Sequence, residues 1–129
     1  MNRDGVQRWL ERYIEGWRAN EAEPIEALFT DDVVYRYRPY GGDEHADRGR
    51  PALVASWLEE RDQPDSWEAG YEVYAVDGDR AVAVGYSRYL ATADEPARTY
   101  HNCFLLRFAD DGRCAEFTEY YMEEPAAGS

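Results

Sequence analysis

Two polar side chains, Asn102 and Glu119, have the types and the spacing that would let them act together in one β-hairpin. They lie in two alternating runs, 98–108 and 113–123, which are joined by a short turn containing glycine. Pairing the runs outwards from that turn places Asn102 opposite Glu119. The register expected on this face is Phe108 with Arg113, Leu106 with Ala115, Phe104 with Phe117, Asn102 with Glu119, and Tyr100 with Tyr121.

A carboxyl group at position 119 would stand on a wall made largely of aromatic rings. Burial disfavours the charged form, so we expect the pKa of Glu119 to rise, which makes it the candidate general base or acid. The alternative is a carboxylate at the rim, paired with an arginine. Asn102 is then expected to orient that carboxylate or to bind a ligand carbonyl, the alternative being a structural hydrogen bond to a neighbouring strand or loop.

Aromatic residues supply most of the remaining candidate site, and the whole chain contains eleven tyrosines. Tyr35 and Tyr37 alternate onto the inner face of a strand at 33–38, and Tyr35 is the third candidate catalytic residue. Arg88 is expected either to neutralise Glu119 or to extend out of the open end of the pocket into solvent. For each ring the alternative is simple core packing. The candidate ligand contacts are Tyr13, Trp17, Tyr37, Tyr86, Arg88, Tyr100, Phe104, Phe117 and Tyr121.

The histidines and cysteines do not suggest a metal or redox centre. His45 lies in a polar loop, and His101 falls on the outer face of the last hairpin. Cys103 and Cys114 lack CxxC spacing and are interpreted as small buried hydrophobes. The sequence has no phosphate loop, Rossmann glycine pattern or nucleophile elbow. We therefore expect neither a metal nor a cofactor.

The chain of 129 residues carries a formal net charge of -13. Such an acidic surface cannot displace counterions from a polyanion, so we expect no nucleic-acid partner and no anionic membrane partner. No N-terminal apolar run precedes the first charged residues, and no stretch of roughly 18 apolar residues occurs. A cytoplasmic protein is the expectation from these features.

The periodicity of apolar residues changes from helical in the N-terminal half to alternating in the C-terminal half. Helices are predicted over 5–19, from Pro24 and from Pro51, and strands over 33–38, 68–76, 80–91, 98–108 and 113–123. This order predicts one α+β domain over 1–125, with three N-terminal helices packed on a strongly curved, mostly antiparallel sheet, and a disordered tail over 126–129. The open mouth of such a cone would hold a ligand.

Several stretches, taken in order, resemble the NTF2-like (cystatin-like) superfamily and its SnoaL-like branch. They are WRAN (17–20), IEALFTDDVVY (25–35), RGRPAL (48–53), DGR (111–113) and EFTEYY (116–121). The resemblance covers nearly the whole chain. It implies a helix-covered cone, a small-molecule pocket without a cofactor, and a homodimer formed through the outer face of the sheet.

Two enzymatic branches of that superfamily can be compared position by position. Epoxide hydrolases of this fold carry a water-activating Asp on the last strand, and Glu119 resembles it. They also hold the water with a Tyr and an Asn, where this chain has Tyr35 and Tyr37. Their Arg-Thr-Asp motif falls at 86–88, which reads Tyr-Ser-Arg and lacks the acid; this argues against epoxide hydrolysis. The two acids of ketosteroid isomerases are missing from 37–39 and from the region of Phe104, which excludes that chemistry.

The sequence therefore favours a protein that binds a small, largely apolar organic molecule in the cone. Its chemistry would be isomerisation, cyclisation, dehydration or hydration with Glu119 as the base. The competing hypothesis is a non-catalytic module of the same fold that binds a small molecule or another protein, since fold alone does not determine function.

Overall fold

The computed structural model describes residues 1–59, 62–63 and 65–125. Its elements are α1 (Arg3–Ala19), α2 (Ala22–Glu26), β1 (Phe29–Arg36), β2 (Asp47–Arg48), α3 (Arg50–Glu59), β3 (Trp67–Asp77), β4 (Arg80–Tyr89), β5 (Arg98–Phe108) and β6 (Cys114–Glu123). The predicted α+β class is confirmed, with three helices and one six-stranded curved sheet. The expected disordered tail, 126–129, lies outside the described residues.

Helix α1 begins two residues earlier than the periodicity predicts because Asn2 caps it. The side chain of Asn2 accepts a hydrogen bond from the backbone N–H of Gly5 at 2.8 Å, which satisfies one free donor of the first turn. Asn20 ends the helix in the left-handed conformation, with φ 53°. Between these caps, Trp9 and Tyr13 share the buried stripe that faces the sheet.

The sheet has the order β2-β1-β6-β5-β4-β3, and every neighbouring pair is antiparallel except β1 with β6. The edge strand β2 and a short 3₁₀ turn at Asp43–His45 lie in a segment predicted to be a loop. An ion pair between Arg36 and Asp43, 2.7 Å apart, helps to fold this segment back onto β1. Local pairing this short leaves no alternating pattern in the sequence.

The predicted register of the last hairpin is wrong by two residues. Phe104 pairs with Glu119, and Asn102 with Tyr121. The cause is an irregularity near the turn. Phe108 pairs with Cys114, whereas Arg107 pairs with Glu116, so one residue of β6 is skipped between the two pairs. Because side chains alternate with a period of two, a shift of two residues changes the partners but keeps each side chain on its predicted face.

Strand β4 approaches β3 so closely that only glycine fits at position 85. A Cβ atom there would collide with the carbonyl oxygen of Gly70 and would lie 2.7 Å from the ring of Tyr71. The inner face of β4 also carries Ala81 and Ala83, both buried. This row of small residues leaves room for the aromatic side chains of α1 and β3 inside the curved sheet.

Candidate active site

A cavity of about 180 Å³ opens between the helices and the concave face of the sheet. Each helix and strand that borders it contributes one or two side chains. The lining consists of Tyr13 and Trp17 from α1, Tyr35 from β1 and Tyr37 just after it, Trp57 from α3, Tyr71 from β3, Ser87 and Tyr89 from β4, Asn102 from β5 and Glu119 from β6. An adjoining hollow of about 300 Å³ leads outwards and is bordered by Asp62, Ser87, Tyr89, Arg98, Tyr100, Asn102, Glu119 and Tyr121.

Glu119 is the one acidic group among the described residues that line the inner cavity. It follows Phe117, which is fully buried on the same face of β6, so its carboxyl group is held where the aromatic core meets the cavity. Burial raises the pKa of Glu119 to about 7. Among the residues that the structure describes, none forms a hydrogen bond or ion pair with this carboxyl group, and burial is the cause of the raised pKa.

Two buried phenols lie at the bottom of the cavity. The hydroxyl groups of Tyr13 and Tyr35 are 2.6 Å apart and hydrogen-bonded, and either can be the donor. Both rings stack on Phe117, with centroids 5.4 Å and 4.2 Å away respectively. Burial raises the pKa of both phenols well above their ordinary value, so both stay neutral. One hydroxyl proton is used within the pair, and the other has no acceptor among the described residues.

Asn102 is buried and is held in one orientation by Ser87. The Ser87 hydroxyl donates to the Asn102 side-chain carbonyl, Oδ1, at 3.0 Å. Accepting this bond with Oδ1 leaves the Nδ2 amide group as the donor that Asn102 can offer to a ligand. The predicted cross-strand pairing of Asn102 with Glu119 is wrong, but the two residues lie diagonally across the hairpin and line the same cavity.

The rim of the cavity is fixed by hydrogen bonds to two aspartates. The Tyr37 hydroxyl donates to Asp47 at 2.6 Å, and Ser56 donates to the other oxygen of that carboxylate at 2.9 Å. On the opposite side, the indole N–H of Trp17 donates to Asp62 at 3.1 Å. These contacts hold one phenol and one indole in place at the entrance.

The family model of the SnoaL-like domain matches residues 10–117 of this chain. The chain belongs to the SnoaL-like family. The resemblance stated from the sequence is thus confirmed, and the fold is NTF2-like. A comparison with curated protein sequences gave no significant match.

Several solved structures share the fold of this chain at low sequence identity. An LEH-like epoxide hydrolase of M. tuberculosis superposes with a TM-score of 0.67 at 14% identity, covering 92% of this chain and 84% of that one. A protein of unknown function with a cystatin-like fold from Methylobium petroleophilum gives 0.67 at 17% identity, with coverages of 100% and 83%. An NTF2-like protein of unknown function from Mesorhizobium loti gives 0.62 at 20% identity, with 93% of each chain covered. Identities this low establish the fold only.

Most of the side chains proposed from the sequence for this SnoaL-like site border one of the two hollows. The proposed residues that line the inner cavity are Tyr13, Trp17, Tyr35, Tyr37, Asn102 and Glu119, and those that line the outer hollow include Tyr100 and Tyr121. Phe104 and Phe117 border neither of them. Their rings, 4.6 Å apart, pack in the core behind the tyrosines, so their predicted ligand contact is corrected to a supporting role.

Two of the proposed ligand contacts, Tyr86 and Arg88, point away from the site. The register of β4 against β5 places Ser87 opposite Tyr100 on the inner face, and the residues on either side of Ser87 therefore face outwards. Tyr86 is 39% exposed, and Arg88 lies 3.9 Å from Glu68 on the same outer surface. Arg88 consequently neither neutralises Glu119 nor lines the mouth.

Four of the described residues that line the inner cavity were not proposed from the sequence, namely Trp57, Tyr71, Ser87 and Tyr89. Trp57 belongs to the apolar stripe of α3. Tyr71 alternates in phase with the buried Val73. A signal for Ser87 was present in the small residues at positions 81, 83 and 85, because small side chains at alternating positions indicate the crowded face of a strand.

The histidines and cysteines of this SnoaL-like chain lie away from the cavity. His45 is exposed beside Glu44, and His101 lies on the outer face near Glu124 at 3.3 Å. Burial raises the pKa of the Cys114 thiol. Within residues 1–59, 62–63 and 65–125, no cluster of three or more histidine, cysteine or acidic side chains could hold a metal ion, and no helix is both long and apolar enough to cross a membrane.

Proposed function

We propose that this SnoaL-like protein catalyses cofactor-free acid/base chemistry on a small, largely apolar organic molecule. Glu119 is the proton acceptor, and the reaction is an isomerisation, cyclisation, dehydration or hydration. The observation that carries this proposal is a buried carboxyl group with a pKa of about 7 on the wall of an aromatic cavity. A base with a pKa near the working pH is present partly as carboxylate and still takes up a proton readily.

The neighbours of Glu119 support a division of roles. The Asn102 amide group and the free proton of the Tyr13–Tyr35 pair are donors in the same cavity. Donors fixed in advance stabilise negative charge that develops on a ligand oxygen while the base removes a proton. The cavity of about 180 Å³ lies below the usual range for drug-sized ligands, which favours a compact substrate or one that extends into the outer hollow.

The base can be tested without knowing the natural substrate by using a nitro-substituted benzisoxazole. A carboxylate removes the ring C–H proton of this compound, the electron pair forms a nitrile, and the N–O bond breaks to release a coloured phenolate. We expect the wild-type protein to catalyse this elimination, with a rate that rises through about pH 7 as Glu119 ionises. Glu119→Gln should lower the rate at least ~100-fold.

The matched control is Glu116→Gln, which removes a carboxylate from the same strand. Glu116 pairs with Arg107 at 3.3 Å on the outer surface, away from the cavity. This variant should retain the wild-type rate. Equal elimination rates in the wild-type and Glu119→Gln proteins would overturn the assignment of the base.

The competing function is a non-catalytic binder of small molecules or a protein-interaction module. Apart from tyrosines, Glu119 is the one acid or base among the described residues of the inner lining, and the lack of a second such group there supports a binding role. A binder would keep its affinity for a neutral apolar ligand in Glu119→Gln and would show no elimination activity in either protein.

We also propose a homodimer formed through the outer face of the sheet. Tyr74, Leu105, Tyr120 and Met122 are 69%, 41%, 44% and 75% exposed, and a row of exposed large apolar groups is typical of an interaction surface. Light scattering at micromolar concentration should give the mass of two chains, and Leu105→Lys should shift it towards one. A monomer in the wild-type protein would contradict the proposal.

A further inference from the structure

The inner cavity combines one carboxyl group with an unusually aromatic wall. Of the ten described residues that line it, seven are tyrosine or tryptophan, and the remaining three are Ser87, Asn102 and Glu119. No lysine or arginine is among the described residues that line it. Among these described residues, the acid has none of the positive partners that buried carboxylates normally have.

We propose that this cavity selects a small organic cation, an ammonium group carried on an apolar skeleton, with Glu119 as its counter-ion. The inference rests on the proposed function in that it names the substrate class of the same site. The faces of aromatic rings carry negative charge density and attract cations, and rings arranged as a cage are a known means of binding quaternary ammonium groups. A cationic ligand would supply the charge that the cavity itself lacks.

The entrance of the site already holds cations against its rings. The guanidinium of Arg98 lies 5.3 Å from the ring centre of Tyr89, which borders both hollows. The guanidinium of Arg18 lies 4.4 Å from the ring of Trp67, and this ring stacks at 3.7 Å on Trp17 of the cavity wall. Rings at this end of the cone are therefore placed so that positive groups can reach their faces.

The charge around the site also disfavours an anionic ligand. An anion entering through the outer hollow would pass Asp62 and then meet Glu119. Arg98 is the one basic residue among the described residues of that hollow, and Glu95 lies 3.7 Å from it and offsets its charge. With a net charge of -13 on the whole chain, the protein attracts cations at low ionic strength.

Three small molecules of nearly the same shape separate charge from size. Choline carries a quaternary ammonium group, 3,3-dimethylbutan-1-ol is its neutral carbon isostere, and 3,3-dimethylbutanoate is a carboxylate anion of similar bulk. We expect calorimetric titration at low salt, above the pKa of Glu119, to show choline binding at least ~10-fold more tightly than the alcohol, with the dimethylbutanoate anion binding most weakly. Equal or weaker binding of choline relative to the alcohol would overturn the proposal.

Variants at the carboxyl group provide the second arm of the test. Glu119→Gln should weaken choline binding at least ~10-fold and leave binding of the alcohol within about threefold of the wild type. Glu116→Gln, on the outer surface, should alter neither. A choline preference that survives in Glu119→Gln would also refute the counter-ion role.

A measurement on the wild-type protein does not depend on whether the variants fold. Saturating choline should lower the pKa of Glu119 from about 7, as followed by the ¹³C shift of its carboxyl carbon, whereas 3,3-dimethylbutan-1-ol should not lower it. An unchanged pKa in the presence of choline would contradict the contact.

The benzisoxazole substrate is neutral, so the two proposals can fail separately. Elimination that depends on Glu119, without any preference for choline, would leave the base standing and remove the cationic substrate class. A preference for choline without elimination would support a cation-binding site and remove the assigned chemistry.

Discussion

Replacing Glu119 by glutamine should stabilise the protein in neutral and mildly alkaline solution and change little in acid. The pKa of this carboxyl group is about 7 in the folded chain, against an ordinary value of 4.5 that we assign to the unfolded chain. At 1.36 kcal/mol for each pH unit, this difference corresponds to a penalty of about 3 kcal/mol for holding the ionised group in the cavity. A penalty of that size is a large part of the roughly 5–15 kcal/mol that stabilises a typical domain.

The sign of the effect follows from which state binds the proton. Below about pH 4.5 the carboxyl group is protonated in both the folded and the unfolded chain, and the penalty is absent. As the pH rises towards about 7, the unfolded chain releases the proton while the folded chain still holds it, so the free energy of unfolding falls. Above about pH 7 both states are ionised and the full penalty applies.

Urea denaturation followed by tryptophan fluorescence measures this effect directly. The free energy of unfolding of Glu119→Gln minus that of the wild type should increase by about 2–3 kcal/mol between about pH 5 and about pH 8. Both histidines are present in both proteins, so their titration cancels in the difference. Glu116→Gln should show no comparable increase. Parallel pH profiles for the wild type and Glu119→Gln would refute the inference that burial raises this pKa.

Four further substitutions test the elements that shape the site. Gly85→Ala should destabilise the fold by about 2 kcal/mol or more in urea denaturation, because the added Cβ collides with the backbone of β3; wild-type stability would contradict the close approach. Tyr13→Phe and Tyr35→Phe should each cost about 1–2 kcal/mol, and the double variant should cost less than their sum because both remove one buried bond; full additivity would contradict that bond. Ser87→Ala should lower the rate of benzisoxazole elimination several-fold, because it removes the hydrogen bond that orients Asn102, while the pKa of Glu119 should stay near 7. An unchanged rate would count against the role of Asn102 as a donor.

The large elements were predictable because burial on one face leaves a periodic pattern. The stripe in α1 and the alternation in β5 and β6 assigned these elements to within a few residues. The same alternation placed Asn102 and Glu119 on the concave face, although the irregularity near the turn changed their partners. Face assignment survived this error because the shift was an even number of residues.

The inner face of β4 could not be assigned by looking for large side chains. Tyr86 and Arg88 attract attention as ligand contacts, yet the inward positions carry Ala81, Ala83 and Ser87. Aromatic residues on facing elements occupy the space above this strand, so its own inward side chains have to be small. Contacts between distant parts of the chain determine that requirement, and one strand read alone does not show it.

The state of Glu119 when a ligand is bound distinguishes its two proposed roles. A neutral ligand that excludes water from the cavity keeps the charged form disfavoured, so the pKa stays near 7 and the group can both take up and release a proton. A cationic ligand favours the carboxylate, so the pKa falls and Glu119 holds the ligand more strongly but becomes a weaker base. For an ammonium substrate, turnover therefore requires that the reacting C–H bond be made more acidic. The ligand's own charge can do this, as can hydrogen bonds donated by the Asn102 amide and the paired tyrosines. A substrate that binds tightly through its charge yet reacts slowly in Ser87→Ala would be the expected signature of that requirement.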